Sequence, residues 1–113
     1  MKEIKAVVRP ARLYSALMAL RDIPGMPGFI VTDTRAFPRG HPLAGSHSHG
    51  IDALDSFEMV KIECVVPDRL ATAAVEAIEK ATSTGDPGDG KIIVCDIEDI
   101  VRIATGQHGE EAI

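Results

Sequence analysis

Apolar residues near the start of the chain follow two successive periods. Ile4, Ala6 and Val8 recur at every second position, which predicts a β-strand that buries one face. After Pro10 the apolar residues recur three or four positions apart, which predicts a helix that ends before the Pro-Gly pair at 24–25. The helical stripe consists of Leu13, Ala16, Leu17, Leu20 and Ile23.

The same succession of periods returns in the second half. Residues 29–37 are rich in β-branched side chains and residues 57–66 alternate, so both segments are predicted strands. A helix is predicted from Pro67-Asp68 to about Ser83, and a fourth strand over 91–95. Residues 97–103 predict a turn and a short strand, and the polar tail at about 107–113 is expected to be exposed and flexible.

The segment between the second and third predicted strands has a different character. Residues 38–56 are rich in Gly, Pro, Ser and His and show little periodicity, which is typical of a long loop. The whole order is strand, helix, strand, strand, helix, strand, which predicts one α+β domain, 1–113, with a ferredoxin-like βαββαβ fold. Helices would cover one face of its sheet, and the open face would favour self-association.

Composition and charge narrow the classes of partner. The chain of 113 residues has a formal net charge of −5, and aromatic residues make up 4% with no Trp. Few aromatic side chains are available to stack on bases, and the negative net charge does not attract a polyanion. Nucleic acid is therefore not an expected partner. A small anionic ligand is favoured over a polymer.

The cysteines and the first residues of the chain predict its compartment. Cys64 and Cys95 lie in apolar, strand-like runs, where free thiols serve as small hydrophobes, so a reducing environment is expected. The charged start of the chain contains no long apolar run, so we expect no signal peptide and no insertion into a membrane. We expect a cytoplasmic protein.

A glycine-rich stretch over 84–92 is the strongest candidate for chemistry. Glycines allow main-chain N–H groups to converge on an anion, and Lys91 adds a positive charge, so the stretch reads as a phosphate cradle. A P-loop requires Ser or Thr after its lysine, whereas Ile92 follows Lys91 here. The alternative interpretation is a plain Gly/Pro turn that leads into a strand.

Two segments together resemble the signatures of a known family. The sequences Thr-Gly-x-x-Gly-Asp-Gly-Lys-Ile at 84–92 and Arg-Ile-x-Thr-Gly at 102–106 resemble those of the nitrogen-regulatory P-II signalling proteins. The segments 1–10 and 60–66 are also similar, and the loop over 38–56 has the length of that family's T-loop. The resemblance implies a homotrimer of ferredoxin-like subunits with a nucleotide in each cleft between subunits.

The resemblance also implies which residues contact an adenine nucleotide, whether ADP, ATP or AMP. In that picture the phosphates lie at the family's B-loop and at a basic residue of the C-terminal loop, the ribose and adenine lie near the third strand, and the T-loop base completes the site. The matching residues are Gly88, Asp89, Gly90 and Lys91 for the B-loop, Arg102 for the C-terminal loop, Glu63 and Val65 for the third strand, and Phe37 and Arg39 for the T-loop base.

Several positions depart from the family pattern. Ala104 stands where the family typically has a second Arg, so one phosphate contact is missing and ATP loses part of its advantage over ADP or AMP. Asp86-Pro87 replaces a Lys-Ile-like pair in the B-loop. Gly40 stands where the family places the Gln that helps to hold magnesium and 2-oxoglutarate, and the loop contains no Tyr for uridylylation.

Two hypotheses of function follow. The first is a nucleotide-sensing regulator whose 38–56 loop controls a target protein, and the resemblance makes a membrane transporter one such target. The second is a metal-binding or metal-responsive module in which His41, His47 and His49 ligate a divalent metal. The alternative is a solvated loop in which these histidines are polar surface residues without a ligand.

The chain shows no base and nucleophile pair, so we do not expect an enzyme.

Overall fold

The fold is an antiparallel sheet covered on one face by two helices. The computed structural model describes residues 1–37 and 56–113. Its elements, in chain order, are β1 Lys2–Val8, α1 Leu13–Arg21, β2 Ile30–Ala36, β3 Phe57–Val66, α2 Asp68–Thr82 and β4 Gly90–Asp96. The predicted ferredoxin-like α+β fold is confirmed.

The strands are arranged in the order β2-β3-β1-β4. The first strand is one of the two inner strands, and it pairs antiparallel to β3 on one edge and to β4 on the other. Val8 faces Gly90 and Val7 faces Lys91 in the register of β1 with β4. The end of β1 is therefore fixed beside the glycine-rich stretch.

The core lies between the sheet and the two helices. Every second residue of β1 points into it, so Ile4, Ala6 and Val8 are almost completely buried. The helices contribute the apolar positions that their three- and four-residue spacing predicts. These residues are Ala16 and Leu20 of α1, and Ala74 and Ile78 of α2. Neither helix in the described part of the chain is long and apolar enough to cross a membrane.

The opposite face of the sheet has no helix over it among the described residues. One row across this face runs Ile30, Glu63, Lys5 and Ile93, since paired residues on antiparallel strands share a face. Ile30 is 67% exposed and Ile93 is 46% exposed. This row therefore carries apolar side chains at both edges of the sheet and charges between them.

Residues 97–103 do not form the predicted short strand. The chain makes only an isolated bridge between Val101 and His108. The reason is a tight turn, in which the amides of Thr105 and Gly106 both donate to the carbonyl of Arg102 and Gly106 adopts a φ of +71°. The apolar alternation of 97–103 is interrupted before a ladder can extend.

The polar side chains of the tail are exposed, as their polarity predicts, but the tail is also folded. A short 3₁₀ turn spans Gly109–Ala112, and Ala112 is buried. The carboxylate of Asp99 holds this turn: it lies 2.7 Å from Nδ1 of His108 and accepts the Gly109 amide at 3.1 Å. The hydrogen bond with His108 is the largest cause of a lowered pKa for Asp99. Local polarity could not predict this contact.

Candidate functional site

A groove of about 350 Å³ lies where the end of β1, the start of β4 and the C-terminal end of α2 meet. Its lining includes apolar residues of β1 and α2 on one side and the end of the glycine-rich stretch on the other. Three residues predicted for a phosphate site come together here, namely Asp89, Gly90 and Lys91. We call residues 84–91 the glycine turn.

Gly90 is the position at which only glycine fits. Its φ is +112°, and a Cβ atom added there would lie 1.8 Å from the carbonyl oxygen of Val7. Side chains other than hydrogen are therefore excluded by both backbone conformation and space. This close approach is what allows Lys91 to enter β4 opposite Val7.

Lys91 is the exposed cation of the groove. Among the contacts of the described residues, the ammonium group of Lys91 forms no hydrogen bond or ion pair. By contrast, Lys5 lies 3.2 Å from the carboxylate of Glu3, and Lys61 lies 3.3 Å from that of Glu63. Glu79 and Asp89 also line the groove, but neither forms an ion pair with Lys91, so its ammonium group is still available to an anionic ligand.

Asp89 organises the glycine turn from within. Its carboxylate accepts the amide of Thr84 at 2.6 Å, the amide of Gly85 at 3.0 Å and the hydroxyl of Thr84. The hydrogen bond from the Thr84 hydroxyl is the largest cause of a lowered pKa for Asp89, which is therefore held as the carboxylate. Asp89 acts in the described contacts as the internal anion of the turn.

Asp86 and Arg9 form a second set of contacts on the same turn. Oδ1 of Asp86 accepts the Gly88 amide at 2.7 Å and Nη2 of Arg9 at 2.8 Å. Nε of Arg9 is buried without a hydrogen bond, although it lies 3.3 Å from the carboxylate of Asp89. Arg9 thus forms ion pairs with both carboxylates of the turn.

These contacts show that the amides predicted to bind phosphate are already hydrogen-bonded within the chain. Main-chain amides of the glycine turn do converge on anions, as the glycine pattern predicts, but the anions are carboxylates of the chain itself. The amides of Thr84 and Gly85 are occupied by Asp89, and that of Gly88 by Asp86. A ligand that approaches this turn meets Lys91 as its unpaired charge.

Comparison with known proteins identifies the family. The sequence model described as "Nitrogen regulatory protein P-II" matches residues 1–107. The chain belongs to the P-II family. Family members are nitrogen-regulatory signalling proteins, so the resemblance seen in the glycine turn and the C-terminal segment is confirmed.

Individual relatives match this P-II chain along its whole length. It is 40% identical over 113 residues to nitrogen regulatory protein P-II of Rhodospirillum rubrum, with both chains fully covered. It is 41% identical over 115 residues to nitrogen regulatory protein P-II 2 of Methanothermobacter thermautotrophicus, covering 100% of this chain and 97% of the relative. A crystal structure of Arabidopsis thaliana PII bound to citrate superimposes with a TM-score of 0.79 at 31% identity, covering 99% of this chain and 91% of that one.

Other residues expected at the site of this P-II chain lie away from the groove. Glu63 and Val65 are on the open face of β3, opposite Lys5 and Glu3 respectively. Arg102 lies in the C-terminal segment, where its guanidinium donates to the main-chain oxygen of Ile113 at 2.8 Å. Phe37 follows β2 and is 41% exposed. Within the described residues of one chain, therefore, these groups do not share the groove with Lys91.

The remaining predicted site residues lie outside the described residues. These are Arg39 at the base of the loop and the proposed metal ligands His41, His47 and His49. In the two described ranges, no group of three or more His, Cys, Asp or Glu side chains is placed to hold a metal ion. The metal hypothesis receives no support from these residues.

Sequence reasoning missed Arg9 and the bonding roles of Asp86 and Asp89. Arg9 is separated from Asp86 by 77 positions, so no local pattern joins them. One signal was present: Arg9 directly follows Val8, and antiparallel pairing of the first and fourth strands would bring it to the glycine turn. In the sequence, Asp86 stands out only as a departure from the family pattern.

Proposed function

We propose that this P-II chain is a regulator that binds adenine nucleotide in clefts between the subunits of a homotrimer. The loop over 38–56 would then control a target protein, for which a membrane transporter is one candidate. The observation that carries the proposal is Lys91, an exposed and unpaired cation at a groove whose shape depends on Gly90. Membership of the P-II family supports the same reading.

The distribution of the other expected residues supports a site shared between chains. Glu63 and Val65 face the open side of the sheet, while Arg102 is held in the C-terminal segment. None of these three residues lines the groove with Lys91 in the single chain, which supports a nucleotide that also contacts a neighbouring subunit's copy of them. We therefore assign Lys91 to the phosphates, and the residues of β3 to the nucleoside end of the ligand.

The open sheet face supports association of subunits. Ile30 and Ile93 are large apolar side chains that remain exposed at opposite edges of this face. Burial of apolar surface stabilises a complex by about 25 cal/mol per Å². Contact between copies of the chain across these residues would place the glycine turn near a subunit boundary.

Control of a target requires that nucleotide prefers one state of the loop. A ligand with equal affinity for both states would shift nothing, however tightly it bound. Phe37 is the last described residue before the loop and directly follows β2. A nucleotide that contacts the base of the loop through Phe37 and Arg39 would therefore stabilise one loop state, and the target would read that state.

Removing the ammonium group of Lys91 tests the proposal. We expect Lys91→Ala to weaken ATP binding by roughly ten- to a hundredfold, the range for one hydrogen bond to a charged group. Isothermal titration calorimetry with ATP, ADP and AMP measures the effect. Lys91→Arg should retain most of the affinity, because the positive charge is kept.

Lys80→Ala is the matched control for this experiment. Lys80 is an exposed residue of α2 that does not line the groove within the described structure. Its replacement should leave all three affinities within about twofold, since exposed charges that touch no ligand are screened by salt. Equal affinities for wild type and Lys91→Ala would remove Lys91 from the site.

A further inference from the structure

Asp86 holds two groups of the glycine turn at once. Its Oδ1 accepts both the Gly88 amide and the Arg9 guanidinium, at 2.7 and 2.8 Å. A Cβ atom added to Gly88 would lie 2.7 Å from Nη2 of Arg9, so the guanidinium packs directly against this residue. The Asp86 carboxylate thereby fixes a cation over the turn and occupies one of its amides.

The charges at the turn cancel. Asp86 and Asp89 are negative, and Arg9 and Lys91 are positive. Arg9 is shared between the two carboxylates, with distances of 2.8 Å to Asp86 and 3.3 Å to Asp89. Lys91 is therefore the one cation among these four side chains that is not already paired. Each further phosphate on a ligand adds negative charge, and among these four side chains only Lys91 is unpaired and able to balance it.

We propose that Asp86 is a specificity-determining residue that disfavours nucleotides with longer phosphate chains. The inference rests on the nucleotide binding proposed above and concerns the preference of that site. A triphosphate that reaches Gly88 must displace the carboxylate from the amide and from Arg9, or else accept its negative charge nearby. A monophosphate held by Lys91 requires neither change.

Asp86 can be substituted with less disturbance of the glycine turn than Asp89. The Asp89 side chain is 18% exposed and fastens the amides of Thr84 and Gly85, so its removal would loosen the turn. The Asp86 side chain is 60% exposed and fastens a single amide. Substitution of Asp86 therefore leaves the main internal support of the turn in place.

Two substitutions separate the charge of Asp86 from its occupancy of the amide. Asp86→Asn removes the negative charge while its side-chain carbonyl still accepts the Gly88 amide. Asp86→Ala removes both, and also frees Arg9 from one of its two carboxylates, while its contact with Asp89 remains. Asp22→Asn is the control, because it makes the same change of charge at the end of α1, at the opposite end of the sheet from the glycine turn.

The experiment is calorimetry of all four proteins with AMP, ADP and ATP at one ionic strength without magnesium. We expect the ratio of ATP to AMP affinity to rise about fivefold in Asp86→Asn, as removal of one nearby surface charge implies. The ratio should rise further in Asp86→Ala, and stay unchanged in Asp22→Asn. Thermal unfolding of each variant confirms that the trimer or monomer being measured is folded.

Three results would overturn the inference. An unchanged or lower ratio in both Asp86 variants would show that the carboxylate does not oppose the phosphate chain, while leaving nucleotide binding itself intact. An equal loss of affinity for all three nucleotides would show that Asp86 only supports the turn. Absence of binding in all four proteins would reject the nucleotide site and the inference with it.

Discussion

Gly90→Ala should lower the free energy of unfolding by about 3 kcal/mol or more, the range for a strained backbone combined with a steric clash against main-chain atoms. The alanine Cβ would lie 1.8 Å from the carbonyl oxygen of Val7, and the residue has a φ of +112°. Backbone must therefore move, and the pairing of β1 with β4 is lost where the glycine turn ends. Urea unfolding followed by circular dichroism, at a fixed protein concentration, measures the change.

Substitutions at two other glycines distinguish the effect of the positive φ from that of the steric clash. Gly85 also has a positive φ, +84°, but has open space around it, so Gly85→Ala should cost only about 1 kcal/mol. Gly28 has open space and no left-handed conformation, and its replacement should change stability by about 0.5 kcal/mol or less. Similar losses at Gly85 and Gly90 would contradict the role given to the approach of Val7.

Ile93→Asp should convert the proposed trimer into monomers at micromolar concentrations. Ile93 lies on the open sheet face opposite Lys5 and is 46% exposed in the single chain. If subunits associate across this face, the substitution places a carboxylate in an apolar contact, at a cost of several kcal/mol for each subunit. Size-exclusion chromatography with light scattering measures the mass in solution.

Val94→Asp is the matched control for association. Val94 is the next residue of β4 and is 48% exposed, but it shares the opposite face of the sheet with Ile4. We expect this variant to retain the mass of the wild type, since the change is equal in chemistry and lies on the other face. Dissociation by both substitutions, or by neither, would contradict an interface built on the open face.

Much of the fold could be predicted because its signals are local. The alternation of Ile4, Ala6 and Val8 and the helical spacing of the segments after Pro10 and Pro67 each depend on a few neighbouring residues. Their order then leaves few arrangements, and the ferredoxin-like topology is one of them. The short strand predicted within 97–103 does not form, because alternation alone does not show where the chain turns, and a tight turn begins at Arg102.

The candidate site was less accessible to sequence reasoning. Glycine content indicated that amides would converge near Lys91, and Gly90 has the conformation that such a turn requires. The pattern could not show that Asp86 and Asp89 would themselves occupy these amides. That outcome depends on side-chain rotamers and on Arg9, which reaches the turn only after β1 and β4 have paired.

Native mass spectrometry of the wild-type chain with adenine nucleotide tests the central claim most directly. The spectrum would be recorded with AMP, ADP and ATP in turn, with guanosine monophosphate as a control for non-specific adducts. We predict a species with the mass of three chains that takes up as many as three adenine nucleotides, one for each subunit. A monomeric chain, or a trimer that acquires no adenine nucleotide beyond the guanosine control, would contradict the account.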